Sequence, residues 1–196
     1  MSQGEHDVVA VGASWGGLDA VRTILAALPG DLAAAMIVAQ HRSADSHPTL
    51  FRDLLGATTR LHVCEADDKD ELRPATVYLA APDYHVLVDG GRIALSLDER
   101  VQFSRPSIDV LFASAAESYR ERCVGVVLTG ANADGASGLA RVAELGGAAI
   151  VQDPGTAERA EMPRAALAAV PEARVASVQE IAPLLVELCG TEKAAA

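Results

Sequence analysis

The stretch Val8-Val-Ala-Val-Gly-Ala-Ser-Trp-Gly-Gly17 decides the fold class. It begins with four apolar residues, Val8–Val11, without polar alternation, as expected for a strand buried on both faces of a parallel sheet. A glycine-rich turn comes next, and Leu18–Leu28 then takes up helical period. Further strand-length runs are Met36–Ala39, Val124–Leu128 and Ala148–Val151, and Pro48–Leu55, Ser107–Arg122 and Ala136–Leu145 read as helices. In the third helix Ile108, Leu111, Phe112 and Ala115 form one stripe, with Ser107 placed to cap it. Repeated βα units predict an α/β fold: a doubly wound, mostly parallel sheet with helices on both faces. His85-Val-Leu-Val-Asp-Gly-Gly-Arg-Ile-Ala-Leu-Ser-Leu97 reads as a β-hairpin, expected to add antiparallel strands at one edge of that sheet. The charged run Glu65–Glu71 reads as a solvated loop.

Half of the 196 residues are hydrophobic but only 4% are aromatic, so the apolar mass is Ala, Val and Leu. That composition excludes a disordered chain. With no repeat, linker or composition shift, one domain is expected over residues 1–190, with a frayed tail over 191–196. The net charge of −11 opposes nucleic-acid binding, which needs a basic face. Cys64, Cys123 and Cys189 have no metal-ligand spacing and read as reduced thiols; no metal site is expected. The first residues carry neither a basic n-region nor an apolar h-region, and the longest apolar stretch, Leu32–Ala39, is too short to span a bilayer. A protein that is not membrane-embedded and acts in the cytoplasm is expected.

Sites in such folds lie at the carboxyl ends of the strands. After the first strand comes Ser14, after the second His41, and after Val124–Leu128 the loop Thr129–Gly135 with Asp134. Gly12-x-Ser14-x-Gly16 has the nucleophile-elbow pattern in the required strand–turn–helix context. The N–H groups opening the next helix suit an oxyanion. Ser14 also fits a plain helix cap, and Asp134 could simply cap the helix from Ala136. His41 alone among five histidines comes after a central strand; His6, His47, His62 and His85 read as structural or surface residues. Dinucleotide binding is disfavoured, because serine stands where a second glycine is needed and Gln40-His41 where an acid should end the second strand. The order Ser14, His41, Asp134 also departs from that of α/β-hydrolases, whose histidine comes last.

Together, Gly12-Ala-Ser-Trp-Gly-Gly17, Gln40-His41, Arg105-Pro-Ser-Ile-Asp-Val-Leu-Phe112, Leu128-Thr-Gly-x-x-x-Asp-Gly135 and Met162-Pro-Arg164 resemble the catalytic domain of the CheB-type chemotaxis protein-glutamate methylesterases. The resemblance spans roughly Val8 to Leu188. It implies a cofactor-free serine triad, Ser14 as nucleophile, His41 as base and Asp134 as orienting acid, that hydrolyses glutamate γ-methyl esters on chemoreceptor-type proteins and deamidates receptor glutamines. Trp15, Gly16, Gly130, Ala131 and Asn132 are then candidates for the oxyanion site, and Arg42, Arg105 and Met162 for substrate contacts.

Three features depart from the family pattern. Trp15 stands where Ser or Thr is usual, Ala131 and Asn132 replace the Met and Gly of the acid loop, and Arg42-Ser43 replaces Met-Pro. The chain also starts seven residues before its first strand, so no receiver domain is expected in it. Two other readings stay open: a protein-binding module that keeps the triad by descent, and a phosphate binder using Gly12–Gly17. The oligomeric state is not legible in the sequence.

Overall fold

The computed structural model describes residues 6–42 and 48–192. Seven parallel strands form one sheet, β1 (Val8–Ala13), β2 (Ala35–Gln40), β3 (His62–Glu65), β4 (Thr76–Leu79), β7 (Cys123–Val127), β8 (Ala148–Gln152) and β9 (Arg174–Ala176), in the order β3-β4-β2-β1-β7-β8-β9. The central strands pair in register from Val8 with Ala35 on one side and with Cys123 on the other. β1 is buried along its whole length, as its unbroken apolar run requires.

Side-chain alternation splits the core into two layers. Val9, Val11 and Ala13 face α1 (Gly17–Ala27), α2 (Pro48–Gly56) and α6 (Val178–Cys189), packing with Ile24, Leu25, Leu55, Ile181 and Leu185. Val8 and Ala10 face α3 (Ile108–Tyr119), α4 (Ala136–Glu144) and α5 (Glu161–Ala169), packing with Ile108, Leu111, Phe112, Leu139 and Met162. The stripe of α3 read from periodicity is wholly buried, and a short 3₁₀ turn over Arg120–Arg122 ends that helix. The doubly wound parallel architecture is therefore as expected.

The hairpin forms as read, β5 (His85–Asp89) against β6 (Arg92–Ser96), but it is a two-stranded sheet of its own and does not extend the seven strands. Its apolar residues Val86, Val88 and Ile93 pack in the α3 layer, and Ser114 and Ser118 of α3 hydrogen-bond the Val88 N–H and carbonyl. Burying that apolar face on the helix is what takes the hairpin away from the sheet edge. The charged run is more than a solvated loop, because it grips the hairpin. Ile93 N donates to Asp70 O, Lys69 N to Ile93 O, and Leu95 N to the Asp68 carboxylate.

All three cysteines are free thiols, with Cys123 and Cys189 buried and Cys64 half-buried. Burial pushes the Cys123 and Cys189 thiols up to about 12, so neither supplies a thiolate near neutral pH. Thr191 bridges Leu32 and Glu192 N donates to Asp31 O, so the fraying expected from residue 191 does not begin there; residues 193–196 lie outside those described. His47, Ser43 and the first five residues lie outside them too. Among the described residues no helix is long and apolar enough to cross a membrane.

Candidate active site

β2, β1 and β7 are neighbours in the sheet, so the residues just past their ends converge at one edge. The backbone fixes that convergence: Ser14 N donates to Thr129 O at 3.0 Å and His41 N to Ala13 O at 3.0 Å. Ser14 O accepts from Gln40 Nε2 at 2.6 Å and from Gly17 N at 2.9 Å. The glycines of the turn are needed for close approach. A Cβ on Gly12 would lie 2.2 Å from Ile108 Cγ2, and one on Gly130 would lie 1.9 Å from Met162 Sδ and 2.9 Å from Ser14 Cβ. Gly16 opens α1 with φ of 77°.

His41 and Asp134 form a nearly dry pair. His41 Nε2 lies 2.8 Å from Asp134 Oδ2, with side-chain exposures of 14% and 0%. Asp134 is not the cap of α4, a role that falls to Gly135. Its carboxylate instead crosses to the N-terminus of α3, accepting from Ile108 N at 2.8 Å, Asp109 N at 2.9 Å and Ser107 Oγ at 3.0 Å. In exchange, Asp109 of α3 reaches α4, accepting from Gly135 N at 2.9 Å and Gly138 N at 2.7 Å. The two helix N-termini thus swap carboxylates, each satisfying orphan N–H donors of the other.

The swap sets the charges. Burial alone would raise the Asp134 carboxyl, but His41 and the Asp109 and Ile108 N–H groups outweigh it and hold it below its ordinary value. Asp109 is displaced upward, chiefly by burial, with the Asp134 charge adding to it. Asp134 is thus fixed as an anion against the His41 ring. His85, with its Nδ1 accepting from Ser107 N at 3.1 Å and its Nε2 3.1 Å from Glu99 O, serves the backbone beneath this cluster.

Asp134 occupies Nε2, which leaves Nδ1 as the nitrogen of His41 able to take a proton. Asn132 Nδ2 lies 3.3 Å from that Nδ1, while Asn132 Oδ1 accepts from Asp134 N at 3.1 Å. Ser14 is half-buried, and among the described residues its hydroxyl makes no hydrogen bond to His41.

The remaining candidates fall into groups. Gly130 N donates to Arg159 O at 3.0 Å, so this amide, expected as an oxyanion donor, is already engaged. Met162 is buried beneath Gly130, whose carbonyl accepts from Met162 N. Trp15 is 59% exposed, but its Nε1 donates to Glu158 Oε1 at 2.7 Å and Arg159 stacks 5.4 Å from its ring, which ties the indole to the segment before α5. Arg42, Arg100 and Arg105 line a cleft of about 270 Å³ beside His41, with Phe103 at its rim. Arg42 donates to Ala80 O and stacks on Phe51; Arg105 and Arg100 both pair with Asp83. Burial lowers the Arg42 guanidinium from its usual value, with Glu65 opposing.

In the sequence reading Asp109 and Thr129 fall within motifs without a role given to either, and Gln152 is missed altogether. Thr129 Oγ1 donates to Trp15 O at 2.9 Å and Gln152 Oε1 accepts from Thr129 N at 2.9 Å. Buried polar residues at the ends of apolar strands are the available signal for the last two.

The CheB methylesterase family model matches residues 9–185. The chain belongs to the CheB methylesterase family. A relative from Leptospira interrogans, provisionally named protein-glutamate methylesterase/protein-glutamine glutaminase, is 44% identical over 184 residues, 93% of this chain and 95% of its own. An enzyme of that name from Moorella thermoacetica is 38% identical over 187 residues, 93% of this chain but 44% of its own length. The crystal structure of the Thermotoga maritima CheB methylesterase catalytic domain superposes with a TM-score of 0.88 at 29% identity, covering 93% of this chain and 98% of that one. The CheB fold thus accounts for both the seven parallel strands and the separate hairpin.

Proposed function

We propose that this CheB-family chain hydrolyses glutamate γ-methyl esters, and deamidates glutamines, on chemoreceptor-type proteins in the cytoplasm, using Ser14, His41 and Asp134. The observation that carries the reading is the dry His41–Asp134 pair at 2.8 Å beside the Ser14 turn. The names of the relatives support the reaction, and the ordered motifs shared with the family support the substrate.

Ser14 Oγ attacks the ester carbonyl carbon while His41 Nδ1 takes its proton. The buried anion of Asp134 stabilises the imidazolium so formed and fixes the ring. The N–H groups of Trp15 and Ala131, which donate to none of the described residues, are suited to hold the tetrahedral oxyanion. Its collapse breaks the C–O bond, and His41 returns the proton to the departing methoxide as methanol. Water, deprotonated by His41, then attacks the γ-glutamyl ester on Ser14, freeing the glutamate carboxylate and restoring the hydroxyl. With a glutamine substrate the same steps release ammonia.

A methanol-release assay on methylated chemoreceptor tests this. The reading expects release by the wild type and none above background for Ser14→Ala at unchanged circular dichroism. Full activity in Ser14→Ala would overturn the assignment of the nucleophile.

A further inference from the structure

The nitrogen of His41 that must accept the Ser14 proton is already engaged. Asp134 fixes Nε2 as the donor side of the ring, so in neutral His41 the free acceptor is Nδ1. Asn132 Nδ2 sits 3.3 Å from that nitrogen. The amide cannot be read the other way round, because its Oδ1 accepts from the backbone N–H of Asp134 at 3.1 Å, and an NH₂ group there would oppose donor to donor. Asn132 is therefore anchored on one residue of the catalytic pair while its amide hydrogen caps the other. Ser14 Oγ has no hydrogen bond to the ring among the described residues.

We propose that Asn132 is a positioning residue that latches the general base: its amide holds His41 Nδ1 in the resting site and must move aside before Ser14 can be deprotonated. The proposal rests on Ser14 acting as the nucleophile. Two consequences oppose each other in sign. With the latch present, a hydrogen placed on Nδ1 would point at the hydrogens of Asn132 Nδ2, so the contact opposes proton transfer from Ser14. With a carboxylate at 132 the contact reverses, since a hydrogen on Nδ1 then meets an acceptor. The charged groups facing His41 are Asp134 from the loop after β7, Arg42 next along the chain, and Arg100 and Arg105 across the cleft; Asp109 stands behind Asp134.

Phosphonylation of Ser14 by a fluorophosphonate probe, measured as a second-order rate constant against pH, reads the latch directly. Asn132→Ala should react roughly threefold to tenfold faster than wild type at pH 7, the factor that one neutral hydrogen bond supplies. Asn132→Asp keeps the acceptor for the Asp134 N–H and nearly the same shape. It should react at least tenfold more slowly at pH 7, with the acid limb of its profile moved up by about one pH unit or more. A merely structural role predicts slower labelling by Ala and near wild-type behaviour by Asp, so the pattern reverses. Asn132→Ala labelling at or below the wild-type rate, with circular dichroism intact, would overturn the latch. If the probe labels some residue other than Ser14, the nucleophile reading fails separately. In the Ser14→Ala background the ¹⁵N chemical shift of His41 Nδ1 then decides the contact: it moves on Asn132→Ala if the latch exists and stays if it does not.

Discussion

Replacing Asp134 by asparagine exchanges one oxygen for an NH₂ group at almost no change in volume, yet the structure makes it a severe substitution. The two carboxylate oxygens accept four hydrogen bonds: Oδ1 from Ser107 Oγ and Asp109 N, Oδ2 from Ile108 N and His41 Nε2. Two of the partners are backbone N–H groups that cannot turn; the ring and the hydroxyl could, but only by giving up their present roles. Whichever way the introduced amide is placed, its NH₂ faces two donors, one of them a backbone N–H at the start of α3. Hydrogen bonds to charged acceptors contribute roughly 1.5–3 kcal/mol each, and relief of the buried charge offsets part of the loss. The expected cost is about 3 kcal/mol. At roughly 2–4 °C per kcal/mol for a chain of this size, Tm should fall by about 6–12 °C. Urea unfolding followed by circular dichroism, with thermal scans in parallel, measures it. A midpoint indistinguishable from wild type, within about 0.5 kcal/mol, would refute the claim that Asp134 is a structural anion for α3 as well as the partner of His41.

Gly130→Ala would place a methyl against Met162 Sδ and Ser14 Cβ; the methionine can yield but the serine cannot without leaving its place. Stability should fall by about 1–3 kcal/mol in urea unfolding, and kcat for methanol release by about 100-fold. Because Asp134 is held below its ordinary value of 3.8, its contribution to stability is fully present above that value and is lost as pH falls through its lowered native value. Acid unfolding of the wild type should steepen below about pH 4, and less so in Asp134→Asn, as Tm against pH will show. Trp15→Ala removes one exposed hydrogen bond and one exposed cation–π contact, so Tm should change by no more than about 3 °C. A change in KM without a change in kcat would mark the indole as a substrate contact.

The parts of this molecule legible in its sequence are those where local pattern and tertiary environment agree. β1, β2, β7 and β8 are covered on both faces, so their sequences are apolar up to the last residue and their ends can be read within about two residues. The peripheral strands carry no such signature. β9 is three residues long with Arg174 and Val175 exposed, and β3 is half-exposed along the edge. Helix α6 is hard to read as well, since its run is apolar on most sides and holds Pro183 in its interior. The hairpin is legible as a pair but its place is not, because only the buried face of α3 explains where Val86 and Ile93 go.

The same division holds in the site. Ser14 and His41 can be picked out as polar residues directly after central strands and Asp134 as the acid in the loop after a third, and strand order then brings these loops together. The exchange of carboxylates between α3 and α4 cannot be read, since nothing local links Asp109 to Gly135 and Gly138. The reading of Asp134 as a cap is right in kind and wrong in helix. Glycine chemistry is legible only in part: Gly12 is required by Ile108, a residue far away in the chain.

Whether Ser14, His41 and Asp134 act as one unit is tested most directly by a double-mutant cycle on methanol release. Groups that serve a single step are strongly non-additive, since removing the nucleophile leaves the base nothing to activate. Ser14→Ala and the double variant Ser14→Ala/His41→Ala should therefore show the same residual rate within about threefold. Losses that multiply across the two substitutions, or a Ser14→Ala variant that turns over at the wild-type rate, would contradict the account.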